Sequence, residues 1–383
     1  MKALIIGAGI GGLTTAIALK QRGIDFEIFE GAEELRAVGA GIWLGANAMH
    51  MYEKLGIADK IKAESVFMEK VYIKDFKGKI LQKIDNKLIL KKYGHATHSI
   101  QRATLQKILA NEINNDIRLG KKCVNVDNTK EGVFIIFADG TQVSGDLLIG
   151  ADGIRSETRE QNITNVEYRY SGQACWRATI NMNLPEEERN ESAEVWGNKG
   201  GLRASYSQAG NNQVYFWFTK SLPAGLRPSK EAGLQMIKED LASFSGNMNM
   251  VVNNIQADNL IYNDLYDFKP INAWYKDRIV LLGDAAHATT PNLGQGASQA
   301  IEDAYVLAAC LSTNQNLEEA LVYYQSLRLK RAKKIVETSF LFARVTNYKS
   351  GFARFIRNTV IKYTPDFITS KQFKDLYDIN YPF

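Results

Sequence analysis

Apolar positions change their spacing along this chain, and the changes mark out its elements. Residues 3–6, ALII, form an unbroken apolar run of strand length. Residues 13–20 place Leu13, Ala16, Ile17 and Leu19 mostly on one side of a helix. Gly23 ends that helix, and residues 26–29 return to a strand. The loop and helix at residues 37–57 follow, then two strands, 71–75 and 79–84, around the turn Lys77-Gly78. The stretch SIQRATL, beginning at Ser99, reads as a helix start with Leu105, Ile108 and Leu109 on its apolar face. Strands are predicted at 121–126 and 133–137, with a hairpin signal at Asp139-Gly140, and again at 146–149. From about Tyr168 the pattern alternates and fills with aromatics: ACWRATINMNL, GLRASYSQ and NQVYFWFTK read as antiparallel strands. Trp176, Arg177, Arg203, Tyr215 and Trp217 are candidates to line a pocket there, against the plainer reading of core packing. A helix is predicted over 230–243 and a strand over 279–282. Helical spacing then runs from Gly296 almost to the end.

Strand–helix–strand at the start, a hairpin inserted after it and a later antiparallel block predict an α/β fold with an α+β second domain. A Rossmann-like nucleotide-binding domain takes 1–70, 98–167 and 269–330. An antiparallel-sheet substrate domain takes 71–97 and 168–268, and C-terminal helices take 331–383. The C-terminal stretch from Tyr348 to Tyr377 mixes Arg, Lys, Phe and Tyr. It can lie on a membrane surface or cover the pocket, but docking on the body is the expectation, because aromatics need burial.

Composition changes this picture little. With 383 residues, 45% hydrophobic and 23% charged, the chain has an ordinary globular balance and room for two domains. A net charge of +5 mildly favours anionic ligands and does not point to nucleic acid. Cys123, Cys175 and Cys310 are few, odd in number and far apart, with no metal-ligand or CxxC spacing, which predicts buried thiols and a reducing cytoplasm. No window is long and apolar enough to span a membrane.

Three stretches carry chemistry. GAGIGG places Gly7, Gly9 and Gly12 between the first strand and helix, and Glu30 ends the second strand. In this order the glycines serve a tight turn, close approach to a pyrophosphate and helix–strand packing, while the acid takes ribose hydroxyls. That acid would repel a 2′-phosphate, so the bound nucleotide is FAD or NAD; the fingerprint does not choose. Arg36 can reach a phosphate or simply face solvent. Arg102, a cation in a first helical turn, opposes the helix dipole, which hints at an external partner. GADGIRS sets Asp152, Gly153, Arg155 and Ser156 at the carboxyl end of a strand, where α/β sheets bind ligands. GDAAHATTPNLGQG, from Gly283 to Gly296, joins a strand to a helix N-terminus and so presents free N–H groups and a positive dipole end.

Together and in this order, the three stretches resemble the single-component FAD-dependent aromatic hydroxylases, whose fold is that of p-hydroxybenzoate hydroxylase. VGAGIWLGANAMHMYEKLGI, SIQRATLQ and TPNLGQGASQAIEDAYVLA are most similar to the subgroup of urate hydroxylase, salicylate hydroxylase and zeaxanthin epoxidase. Ala46 stands where that subgroup usually has proline. The resemblance implies FAD as cofactor, NADH or NADPH as transient reductant, and oxygen delivered through a flavin C4a-hydroperoxide to a small aromatic substrate. It implies that Asp284 bonds the ribityl or pyrophosphate part and that the loop from Pro291 through Leu293, Gly294, Gln295 and Gly296 faces the flavin pyrimidine. It also implies Arg102 near the flavin, Val124 at the adenine through its backbone, and Asp152 and Arg155 in FAD and NAD(P)H binding. Arg203 and Tyr215 have the spacing of two active-site residues of urate hydroxylase, one to neutralise a substrate anion, the other to orient or deprotonate a phenol. His287 is expected to support its loop by hydrogen bonding. The implied assembly is a monomer or homodimer. Rival readings are an epoxidase or a reductase acting on an isoprenoid or polyketide-like substrate. A halogenase would carry a WxWxIP segment, which is missing, and no output domain follows that would make a sensor.

Overall fold

The computed structural model describes residues 1–35 and 40–383, apart from the side chain of Asp366. Arg36 lies outside the described residues. The first strand, Lys2–Ile6, is an interior strand of a five-stranded sheet. It pairs in parallel with Asp25–Phe29 on one side and Leu147–Gly150 on the other, and the latter pairs in parallel with Ile279–Leu281. Tyr275–Lys276 adds an antiparallel edge. Both faces of this sheet are covered, which is why its strands are continuous apolar runs and not alternating ones. The helices Ile10–Gln21 and Gly296–Thr313 pack together on one face, and Gly11 is the point of closest approach. A Cβ there would meet Leu282 Cδ1 at 2.9 Å and Ala300 Cβ at 3.3 Å.

A seven-stranded sheet forms the second layer, in the order Ile261–Phe268, Tyr168–Ile180, Val214–Ser221, Arg203–Gln208, Glu191–Trp196, Lys70–Asp75 and Ile80–Asp85. The hairpin at 70–85 joins the later strands through a parallel pairing of Lys70–Asp75 with Glu191–Trp196. One face of this sheet packs on the helices Lys230–Leu241 and Met248–Asn253, with Trp176, Phe216 and Phe218 buried between them. The other face looks toward the nucleotide-type sheet. Side chains alternate between faces, so Trp176 and Arg177 cannot share one. Trp176 belongs to the apolar core, not to the pocket wall.

Two stretches differ from the pattern reading. Residues 99–101 are not helical: His98–Gln101 is a strand, and the helix Arg102–Glu112 begins only at Arg102. Gly41–Leu44, expected as loop, is its antiparallel partner. The two strands bridge the domains, and neither is long enough for a period of two to be read from sequence. Leu317–Thr346 is one helix of 30 residues that runs through position 330 without a break, where a boundary was expected. Among the described residues no helix is long and apolar enough to cross a membrane. The C-terminal stretch only partly docks: Asp366–Tyr377 and the tail after it reach the body, while Gly351–Lys362 leaves its large apolar side chains in solvent.

Candidate active site

A cavity of about 560 Å³ lies between the two sheets. One half is built from loops at the carboxyl ends of the parallel strands, where an open α/β sheet presents its ligand crevice. Gly7 leaves the first strand with φ +103, and a Cβ on it would stand 2.5 Å from the Ala151 carbonyl oxygen. A Cβ on Gly12 would stand 1.9 Å from the Gly7 carbonyl oxygen, so helix and loop touch backbone to backbone. Gly9 is different. Its φ of −73° suits any residue, and a Cβ there meets nothing within 4 Å. Packing within the chain does not require glycine at position 9; a ligand pressed against the backbone does. Glu30 closes this end, its carboxylate accepting from Ala8 N at 2.9 Å and Ala32 N at 3.0 Å. The two bonds fix the carboxylate beside the glycine loop and leave lone pairs for ribose hydroxyls.

Farther along, Gly283 turns the chain at φ +57 and Asp284 opens onto the cavity. Burial among protein atoms pushes the Asp284 carboxyl up, against the pull of His287 and Arg102. Arg102, the first residue of its helix, faces the same space. Burial and the Arg177 charge push it down, and Asp284 opposes them. Pro291–Leu293 forms a single 3₁₀ turn, Gly294 takes φ +62, and the helix Gly296–Thr313 starts with no side-chain cap. Gln295 turns its side chain away from the cavity, accepting from Asn47 Nδ2 at 2.9 Å and Gln299 Nε2 at 3.2 Å. Gly294 N donates to the Pro291 carbonyl at 3.0 Å, so the N–H groups left to face the cavity are those of the first turn of the helix from Gly296. His287 is buried and bonds Asp303 at 2.5 Å, supporting the loop from behind.

The other half is the face of the seven-stranded sheet. Cys175, Arg177, Tyr215, Trp217 and Thr219 look into the cavity from neighbouring strands, with Val71, Ile73 and Ile84 from the hairpin side. Tyr215 sits over Gly41, where a Cβ would come within 2.5 Å of the tyrosine ring. Its hydroxyl has no hydrogen-bond partner among the described residues. Burial pushes this phenol up, while the Arg177 charge pulls it down. Arg203 is spoken for: Nη1 donates to Glu194 at 3.0 Å, Nη2 donates to Asn292, and the guanidinium lies over the rings of Trp217 and Phe342. Arg177 donates to neutral Asn263 at 2.6 Å, and among the described residues no carboxylate pairs with it.

Several expected residues lie apart. Val124 is exposed, and its carbonyl accepts from Gln161 Nε2 at 3.2 Å. Arg155 is exposed, outside the cavity lining. Asp152 caps Thr158 N at 3.0 Å through Oδ2, while its buried Oδ1 has no partner. Sequence reasoning missed Glu194 and Asn292, the partners of Arg203, and Phe373, Leu376 and Tyr377, which line the cavity from the C-terminal helix. The last three stood in the aromatic stretch whose pocket-covering reading was set below simple docking. No metal site was expected. The structure brings one potential ligand atom each from His50, Glu53 and His95 within 4.8 Å of one another, with His95 Nε2 2.9 Å from Glu53.

The residues present fit FAD: a glycine cradle with open space at Gly9, an acid with lone pairs left for ribose hydroxyls, and an uncapped helix end suited to a flavin edge. A nucleotide half opening directly onto an aromatic-walled sheet defines a single-component flavoprotein monooxygenase. Comparison with known proteins agrees. The chain belongs to the FAD binding domain family, whose model matches residues 1–339. It is 34% identical over 360 residues to the aurachin C monooxygenase/isomerase of Stigmatella aurantiaca, covering 94% of this chain and 93% of that one. It is 31% identical over 373 residues to the 2-heptyl-3-hydroxy-4(1H)-quinolone synthase of Pseudomonas aeruginosa, covering 96% and 95%. Its fold superposes on Klebsiella pneumoniae HpxO complexed with FAD and uric acid with a TM-score of 0.91, at 27% identity and over 98% and 96% of the two chains. It is an FAD-dependent aromatic hydroxylase, with NAD(P)H as reductant.

Proposed function

We propose that this monooxygenase hydroxylates a bicyclic heteroaromatic ring of the 4-quinolone kind that carries an alkyl tail. The observation carrying this reading is the character of the substrate half of the cavity. Its walls are mostly apolar, and the charge of Arg203 is already matched by Glu194. Urate, by contrast, is a compact purine whose edges all demand hydrogen-bond partners. Each polar group left facing an apolar wall costs about 1–3 kcal/mol. A tailed quinolone asks for partners at one ring oxygen and one ring nitrogen, and for apolar surface elsewhere. The quinolone synthase and the aurachin C enzyme among the relatives support the same class.

Bound FAD supplies the activated oxygen; the chain holds both partners. The glycine loop would receive the pyrophosphate at Gly9, with Gly7 and Gly12 shaping the loop; Glu30 would take the ribose, and Asp284 the ribityl–phosphate chain. The free N–H groups of the first turn of the helix from Gly296 would stabilise negative charge on the flavin pyrimidine. Val124, Asp152 and Arg155 act at the periphery, at the adenine and the reductant. At the substrate, Tyr215 is a donor and not a base, because its phenol is held protonated well past neutrality. Arg177, which has no carboxylate partner among the described residues, takes the role first expected of Arg203. Donation from both would fix the ring oxygen and so hold the adjacent carbon in position for attack. All three cysteines are free and buried, which suits work in the cytoplasm.

The test is NAD(P)H oxidation by the purified flavoprotein with 2-heptyl-4(1H)-quinolone and with urate, followed by product mass under ¹⁸O₂. Stimulation with one labelled oxygen in the quinolone product is expected; labelled product from urate alone would overturn the substrate class. Tyr215→Phe is expected to keep FAD and NAD(P)H oxidation but to lose at least about tenfold in hydroxylated product per reductant consumed. Full coupling in that variant would remove the hydroxyl from the reaction.

A further inference from the structure

The helix Gly351–Lys362 is inside out. Phe352, Phe355, Ile356 and Val360 recur at the spacing of one helical face, and that face is in solvent: Phe352 is 73% exposed, Phe355 67% and Val360 62%. Arg357 points the other way, 6% exposed, its guanidinium 4.4 Å from the ring centre of Trp196. A surface helix ordinarily turns its apolar stripe to the core and its charges to water. The exposed apolar series continues past the helix in Tyr363 and Phe367. Exposed apolar surface of this extent marks a docking face.

Charge says what docks. The helix has no acidic residue, and Lys349, Arg354 and Lys362 accompany the apolar side chains. Aromatic side chains on one face with cations beside them fit an anionic bilayer surface. A second copy of this chain fits poorly, because a two-fold contact would set the same cations against each other. We propose that this face lies on the surface of a lipid bilayer carrying anionic headgroups, resting on it without spanning it.

The position of the face gives docking a consequence. The next helix, Asp366–Tyr377, turns Phe373, Leu376 and Tyr377 into the wall of the active-site cavity. A docked enzyme therefore holds its cavity wall one helix away from lipid, where a tailed substrate accumulates. That consequence rests on the proposed substrate class; the docking does not.

Flotation of the full-length, FAD-loaded protein with vesicles of phosphatidylcholine, alone or mixed with phosphatidylglycerol, tests the proposal. Binding to the mixed vesicles is expected, weaker at high salt and weaker still without the anionic lipid. The double change Phe355→Glu and Val360→Glu is expected to lower vesicle binding at least about tenfold. FAD content, melting temperature and basal NAD(P)H oxidation should stay those of the parent. No binding by the parent to either vesicle, or equal binding by the variant, would overturn the proposal. So would light scattering that finds a parent dimer which the double change splits, since the face then belongs to a second copy. A failed quinolone assay would leave the vesicle result standing.

Discussion

Gly9→Val is expected to give a folded, colourless protein. Gly9 caps the helix Ile10–Gln21 with φ −73° and ψ −177°, an extended backbone in which a β-branched residue is at ease. A Cβ at this position meets no atom of the chain within 4 Å, so folding does not resist the change. The added carbons enter the cavity at the helix end where the pyrophosphate must touch the backbone. FAD retention should fall at least about 100-fold, since the phosphate loses its close approach to several N–H groups at once. Gly12→Ala makes the contrast: its Cβ would lie 1.9 Å from the Gly7 carbonyl oxygen and 3.1 Å from the carbonyl carbon, and both are backbone. That variant should lose soluble yield with or without added FAD. Flavin absorbance after gel filtration, beside the melting curve of the apoprotein, separates the two cases. A yellow Gly9→Val protein with parental FAD content would refute the placement of the pyrophosphate.

The glycine contrast also shows what the sequence can and cannot disclose. GAGIGG assigns its three glycines different duties, and the backbone gives Gly7 a positive φ, sets Gly12 against the Gly7 carbonyl and leaves open space at Gly9, because local backbone geometry follows from adjacent residues. Arg203 is the opposite case. Its spacing to Tyr215 survives in the strands, yet its availability depends on Glu194, paired through the sheet, and Asn292, some ninety positions away. Long-range pairing leaves no period and no motif. The same reason hid Arg177 as the unpaired cation: alternation predicts which face it takes, but not that its neighbour across the sheet, Asn263, is neutral. The strand Gly41–Leu44 was illegible because four residues carry too little pattern, and only pairing with His98–Gln101 makes them a strand. At the C-terminus the aromatic composition was plain, but burial cannot be read from composition, and Gly351–Lys362 turned its aromatics outward.

Arg328→Met is expected to have the largest effect on stability of any single change outside the glycine loop. Arg328 is fully buried in the long helix Leu317–Thr346 and pairs with two fully buried carboxylates on the helix Gly296–Thr313. It meets Glu302 through Nη1 and Asp303 through Nε at 2.7 Å. Glu302 keeps other partners: Arg331 at 2.7 Å, Asn47 at 2.6 Å and Tyr381 at 2.8 Å. Among the described residues Asp303 keeps only His287 and the Gly283 amide at 2.9 Å, so it is the group that the change strands. Breaking a buried pair by removing one partner costs about 3–5 kcal/mol, a large share of the ~5–15 kcal/mol that holds a protein folded. The melting temperature should fall roughly 4–6 °C. FAD retention should fall with it, since Asp303 anchors the turn at Gly283 and Asn47 joins Glu302 to Gln295. Adding Asp303→Asn should recover part of the loss by removing the stranded charge. The pH dependence has a definite sign. Burial alone would raise both carboxyls, but the arginines beside Glu302, and His287 with Arg328 beside Asp303, outweigh it and hold each at about 2, below the ordinary 4.5 and 3.8. A depressed carboxyl contributes stability that is complete above its unfolded value and is lost as pH falls through its folded one. The parent should therefore lose stability from those ordinary values down toward pH 2, and Arg328→Met should lose less over that window. Calorimetry of the three proteins across the acid range checks each point, and an Arg328→Met protein that melts with its parent would show the network to be neutral.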